Sequence, residues 1–274
     1  MSKPVREKGK ARVCSGQVWL GVAALALLQG GLWSIDAALA QTVPAPTALP
    51  QNPVVVSGQV NVSTSDVNPH TGANAPYMNI TQATDQAVIN WGRYDIGAQA
   101  HVNYAMTGAN ATSLNRVMSA DPSQIYGKLS ANGKVILINP NGVIFGAGAR
   151  VDVGALVAGT MNITDDDYLA GRTRYEQEAG SSAGVTNEGS LNAAPGGYVA
   201  LLGAKVVNKG EVNAPSGKVI AAAGKAVDLP LTQSGLITLP VDPADIEAIV
   251  ENKGLITAPN GDVYLSAEAA SSVG

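Results

Sequence analysis

Cysteine is nearly missing from this sequence. Its 274 residues include one, Cys14, which precedes an apolar run instead of ending it. A disulfide framework is excluded and a lipoprotein anchor is disfavoured. Charged residues make up 14% and aromatics 4%, with a single phenylalanine, too little Glu, Lys and Leu for a helix bundle. Beyond Leu32 no segment is apolar enough to span a bilayer. The two histidines, His70 and His101, have no ligand cluster around them, so surface or packing roles are expected, with no metal and no cofactor. No phosphate-binding glycine loop appears. What is abundant is glycine, at 31 residues, which suits many short strands joined by tight turns, and near-neutral hydropathy speaks for a folded chain.

The first forty residues are a separate object. Lys3, Arg6, Lys8, Lys10 and Arg12 make a basic start, Val18 to Leu32 is mostly apolar, and Ala38-Leu39-Ala40 fits a small-x-small cleavage site before Gln41. Residues 1–40 therefore read as a secretory signal peptide, the competing transmembrane anchor being too short and interrupted by Gln29-Gly30-Gly31. Without them the chain has 12 basic and 19 acidic residues, a net charge of −7. Nucleic acid is not the expected partner of such a chain.

Residues 41–53, with Pro44, Pro46, Pro50 and Pro53, read as an extended leader. From Val54 the pattern becomes β: Val54-Val55-Val56 and Gln59-Val60-Asn61-Val62 look like short strands, and 64–77 like a loop. An internal repeat then dominates. Gly127-Lys128-Leu129-Ser130-Ala131-Asn132-Gly133-Lys134-Val135-Ile136 is one copy. Others begin at Gly189, Gly210 and Gly254: a glycine, an apolar residue two positions on, Ala, a turn ending in Gly, and a second apolar strand. Asn187-Glu188-Gly189, Asn208-Lys209-Gly210 and Asn252-Lys253-Gly254 introduce three of them. The leading glycines lie 62, 21 and 44 residues apart, close to three, one and two units of about 21 residues, a solenoid period.

Such a repeat predicts an all-β fold, a right-handed single-stranded parallel β-helix with a few antiparallel hairpin excursions. Alternate residues point inward and stack on their equivalents, and glycine and asparagine occupy the corners. Asn187, Asn208 and Asn252 are predicted at such a corner, the first two one above the other with amides placed to form a short ladder. The competing fold, a Gly-rich antiparallel sandwich, would not repeat the same turn residues at fixed intervals. A short helix is predicted over 242–249, with Asp242 as its cap and Pro243 in its first turn. Residues 161–184 read as an excursion, a hairpin or loop.

Four ordered boxes resemble the two-partner-secretion domain of filamentous-haemagglutinin and haemolysin-type exoproteins. Asn90-Trp91-Gly92-Arg93-Tyr94-Asp95-Ile96-Gly97 is similar to that family's Asn/Glu-Trp…Phe-x-Ile-Gly box, with Tyr94 where Phe is usual. Leu114-Asn115-Arg116-Val117 resembles the next. Asn139-Pro140-Asn141-Gly142-Val143 resembles its Asn-Pro-Asn-Gly-Ile box, and 151–160 resembles the segment that follows. Asn68-Pro69-His70 is the candidate for an earlier Asn-Pro box, although the residues after it differ. The likeness covers roughly residues 54–270. It implies a secretion domain, not an enzyme, that leads an exoprotein through the outer membrane of a Gram-negative bacterium to the cell surface, serving adhesion and virulence. The implied partner is an outer-membrane β-barrel transporter of the Omp85 type, acting through its periplasmic modules, with a host-surface receptor or glycan beyond it. Read from its own residues, Asn139-Pro140-Asn141-Gly142 is a tight turn after an apolar strand; transporter recognition is its sharper role.

The other class considered is a secreted β-helical carbohydrate-active enzyme. Its acids would be sought at Asp165-Asp166-Asp167, which read more simply as a solvated loop that binds calcium at most loosely. Gly180-Ser181-Ser182-Ala183-Gly184 matches a nucleophile-elbow pattern but follows no apolar strand. No polar cap follows the 263–265 strand, which suggests the leading part of a longer exoprotein or a shortened gene product.

Overall fold

The computed structural model describes residues 43–229, 241–242 and 248–267. The segment read as a signal peptide lies outside them. Three sheets of stacked strands build a parallel β-helix. One coil shows the path: Lys134–Ile138 on the first face, Val143–Phe145 on the second, Arg150–Val153 on the third, then Ala155–Gly159 back on the first. Among the described residues the first face has eight strands, ending with Asp262–Ala267; the third also has eight, ending with Leu255–Thr257; the second has five, ending with Ile249–Asn252. Gln51–Ser57 and Val60–Ser65 pair antiparallel with Gln86–Arg93 and Tyr77–Gln82. They close the solenoid's first rung instead of forming one, and so cover sheet edges that would otherwise be open. The first of them begins inside the proline-rich stretch, at Gln51.

Period-two alternation explains the core. On the first face Ile89, Asn115, Leu137, Ala158, Leu201 and Ala221 form one inward column in register. All are buried, and all but Asn115 are apolar. Met78, Val102, Leu129, Val151, Leu191 and Val212 form the matching column on the third face. Each such Leu, Ile or Val contributes about 1.5–3 kcal/mol of burial.

Ala155–Gly159 and Tyr198–Gly203 are buried on both sides, so they read as unbroken apolar runs. The cover on their outer side is the excursion over 160–183. It contains the helix Asp165–Leu169 and the strands Met161–Asn162 and Arg174–Gln177, which form an antiparallel sheet with Ala226–Asp228 and Val241–Asp242. Tyr168 and Tyr175 pack there against Val88, Leu114, Ile136 and Val157 in a second apolar cluster. Burial pushes both phenols well above their usual range.

The structure corrects three expectations. The 62- and 44-residue glycine intervals are two coils and one coil, not three and two. Lys128 pairs with Arg150 and Arg150 with Ser190, while Glu211 pairs directly with Leu255. True coils run from 20 positions, as in Val199–Val219, to 27, as in Val102–Leu129. Residues 160–183 leave the solenoid, and the stretch of sequence between the strands Lys218–Ala223 and Ile249–Asn252 is likewise about one coil long, which makes each interval look like an added turn. Secondly, Asp165–Asp167 are not a solvated loop but the first turn of a helix. Thr164 Oγ1 accepts the Asp167 amide at 3.1 Å and donates to its carboxylate at 2.7 Å, a reciprocal cap. Thirdly, Asp242 caps no helix: it sits in a strand opposite Ala226. The remainder of that predicted helix, at 243–247, lies outside the described residues.

Candidate functional site

The corner where coils leave the first face brings the sequence boxes together. Gly92–Asp95, Met118–Pro122 and Asn139–Gly142 are the exits of three successive coils. Arg93 binds the Asp95 carboxylate through Nε and Asp121 Oδ2 through Nη1 at 2.9 Å. Asp95 is buried, and its Oδ1 accepts the Gln124 amide at 2.8 Å. Asn139, also fully buried, donates from Nδ2 to the Asp121 carbonyl and to Ser123 Oγ, both at 3.0 Å. Its Oδ1 accepts the Asn141 amide at 2.9 Å and its carbonyl the Gly142 amide at 3.0 Å. Pro140 fixes the turn's second residue, and Gly142 closes it at φ +118°. Asn141 faces solvent and donates to the Ser119 carbonyl at 2.9 Å. Met118 is 65% exposed. From the end of the 160–183 excursion, Ser181 Oγ donates to the Pro140 carbonyl at 3.2 Å.

Asn68-Pro69-His70 forms the same turn elsewhere on the surface. Asn68 is buried, its Oδ1 accepts the His70 amide at 2.9 Å, and its carbonyl accepts the Thr71 and Gly72 amides at 3.2 and 2.8 Å. The later residues differ from the family's, yet the Asn-Pro start alone makes the turn.

Inside the corner lies a buried network that sequence reasoning missed in part. Trp91 Nε1 and the Tyr104 hydroxyl both donate to Asn115 Oδ1, at 3.0 and 2.8 Å. Asn115 Nδ2 faces the Ser113 carbonyl and hydroxyl and the Ile136 carbonyl. The Tyr94 hydroxyl lies 3.0 Å from that of Tyr104 and, since the latter already donates to Asn115, serves as its donor. Burial holds both phenols well above the usual range. The departure from Phe at position 94 thus has a partner inside the core; a tyrosine in an otherwise apolar box was the signal that one was needed. Ile96 makes an isolated bridge to Ile125, and a side chain at Gly97 would collide with the Pro46 backbone. Arg116 reaches outward: it binds Asn162 Oδ1 at 2.9 Å, the Ile163 carbonyl at 2.7 Å, Asn90 Oδ1 at 3.4 Å and the Asp165 carboxylate at 2.9 Å. It fastens the excursion to the first face.

Asn187, Asn208 and Asn252 stack at the corner between second and third faces, each in register with the next. Asn187 Nδ2 donates to Asn208 Oδ1 at 2.8 Å, and Asn208 Nδ2 to Asn252 Oδ1 at 2.7 Å. Asn208→Ala cuts both bonds. It is expected to lower unfolding stability by about 2 kcal/mol, read as a lower urea midpoint at unchanged slope.

Two of the three acids weighed for catalysis are held in pairs. Asp165 pairs with Arg116, and Asp167 with Thr164 and Arg172. Ser181 and Ser182 sit in the loop before Gly184–Asn187. Among the described residues no group of three or more His, Cys, Asp or Glu is placed to hold a metal.

Residues 53–274 match the family model described as the TPS secretion domain. The chain belongs to that two-partner-secretion family. The heme/hemopexin-binding protein of Haemophilus influenzae is 36% identical over 228 residues, which is 80% of this chain and 24% of that protein. A second protein of that name and species is 40% identical over 114 residues, 42% of this chain and 11% of its own length. This TPS domain chain therefore spans about a quarter or less of the curated relatives it matches. The crystal structure of the HMW1 secretion domain from Haemophilus influenzae superposes with a TM-score of 0.69 at 28% identity, covering 79% of this chain and 57% of that one. The relatives are named for binding and secretion, not for catalysis. A TPS domain implies an outer-membrane transporter as its partner and passage across the outer membrane of a Gram-negative bacterium.

Proposed function

We propose that the corner formed by 92–95, 118–122 and 139–142 is the face by which an Omp85-type transporter, through its periplasmic modules, takes hold of this TPS domain. Residues 1–40 first direct the chain across the inner membrane and residues 54–270 act as the secretion domain. One observation carries this reading: three of the family's boxes end at one corner, where exposed Met118, Asp121 and Asn141 surround buried Asn139. The two asparagines divide the work. Asn139 shapes the turn from inside, and Asn141 presents it. The exported product serves adhesion in this proposal. Binding of haem or hemopexin is a second reading, favoured by the names of the two relatives, and the activity resides in the whole exoprotein.

The test is co-expression with the transporter of the same locus, followed by quantification of the chain in the medium. Met118→Ser combined with Asn141→Ala is expected to leave the purified protein folded and to cut secretion about ten-fold, the loss of roughly 1.4 kcal/mol of recognition. Undiminished secretion of that variant would remove the corner from the contact, and secretion that ignores the transporter would remove the partner.

A further inference from the structure

The segment 66–76, between Val60–Ser65 and Tyr77–Gln82, is exposed along most of its length, and Asn68 is its one buried polar residue. Asn68 is held from below by His101, the first residue of the strand His101–Ala105. His101 is itself buried, with Nδ1 3.0 Å from Asn68 Nδ2 and Nε2 2.7 Å from Ser130 Oγ.

The hydrogen-bond directions are forced. Asn68 Oδ1 already accepts the His70 amide at 2.9 Å, so the NH2 group is the end that faces the imidazole. Nδ1 must then be the acceptor, and the proton of a neutral ring sits on Nε2. From there the chain runs one way. His101 donates to Ser130 Oγ, Ser130 donates to Asn103 Oδ1 at 2.7 Å, and Asn103 donates to Asn79 Oδ1 at 2.9 Å. A proton added at Nδ1 would meet the Asn68 NH2 donor head-on. Turning that amide over would instead abandon the His70 amide.

We infer that neutral His101 is the latch that positions the Asn68–Gly72 turn against the third face, and that protonation at Nδ1 opens the latch while the coils stay folded. The latch concerns how this turn is held and does not depend on which face the transporter reads.

The groups around His101 are the His70 ring, with its centroid 5.8 Å away, Tyr77 at 5.2 Å, Lys128 directly across the ladder, and Asp152 one strand further. Burial, then Lys128 and His70, oppose the extra proton, and Asp152 favours it; together they hold the ring down at about 4. A released His101 would return to roughly 6.5. The closed latch therefore binds fewer protons than the open one. It is at full strength above about pH 6.5 and weakens as pH falls towards about 4, near ten-fold per pH unit.

Amide hydrogen exchange on the full chain tests this, corrected for intrinsic rates. The His70, Thr71 and Gly72 amides all bond to Asn68. Their protection is expected to fall about 40-fold between pH 6.5 and 4.5, with the Val102 and Leu129 amides unchanged. His101→Gln offers an acceptor and a donor without a titrating ring, so the turn should stay protected with no pH dependence. His101→Leu should lose that protection already at pH 7, and His70→Gln, which removes one of the groups opposing the proton, should keep the pH-dependent loss with its midpoint moved slightly to higher pH. The latch is overturned by a pH-dependent loss that persists in His101→Gln. It is equally overturned by strand amides that open in step with the turn, or by a His101 ring that titrates near 6.5 without moving it.

Discussion

Gly217→Ala is expected to cost about 3 kcal/mol or more, the upper range for forcing a methyl into a packed interior. The reason is a column of glycines at the corner between third and first faces. A Cβ on Gly217 would lie 1.9 Å from the Gly197 carbonyl oxygen, one on Gly197 2.0 Å from that of Gly154, and one on Gly261 2.2 Å from that of Gly217. The obstacle is backbone in every case, so no side chain can swing aside. Relief requires prising two coils apart, which loosens the Val199–Val219 ladder beside it. Gly108, where an added Cβ meets nothing within 4 Å, supplies the control: Gly108→Ala should stay within about 0.5 kcal/mol of the parent. Urea unfolding of the three proteins decides it, and equal midpoints for Gly217→Ala and the parent would show that the coils are not in van der Waals contact there.

Asn115→Leu comes next in size, at about 4 kcal/mol. Leucine fits the volume and matches the apolar column in which Asn115 stands, so burial alone predicts a stabilised protein. The network predicts the reverse. The change leaves the Trp91 N–H and the Tyr104 O–H without their common acceptor in a dry core, at about 1–3 kcal/mol each. It also strips a donor from the Ser113 and Ile136 carbonyls. Tyr94→Phe should be mild, about 1 kcal/mol, because Tyr104 keeps its bond to Asn115. After residue 40 Trp91 is the sole tryptophan, so its fluorescence reports this network directly. An Asn115→Leu protein as stable as the parent, with an unshifted Trp91 emission, would mean that the donors find other acceptors.

The β-helix was legible because its physics is periodic: Leu129, Leu191, Val212 and Ile256 recur at one position of the repeat, and that position points inward. The Asn-x-Gly triplets could be read for the same reason, since a corner recurs with each coil. Coil number was not legible, because an excursion of about one coil's length is indistinguishable from a coil by spacing alone. Only pairing between Glu211 and Leu255 separates them. Asp165–Asp167 misled because three acids look solvated until Thr164 is seen as their cap. At the candidate site the box residues could be named from the sequence, but their division into buried shapers and exposed contacts could not. Asn139 and Asn141 are the same residue type two positions apart, and burial alone tells them apart.

The stacking of each strand on its nearest equivalents also sets how far any residue must search for its partner. Val199 finds Val219 after 20 positions, and Val219 finds Val263 after 44. Loop-closure entropy grows only with the logarithm of these separations and not with total chain length. A polypeptide emerging from a pore can therefore fold each rung on the last one formed, never waiting for a distant segment. The barrier to folding stays near that of a small domain however long the chain becomes.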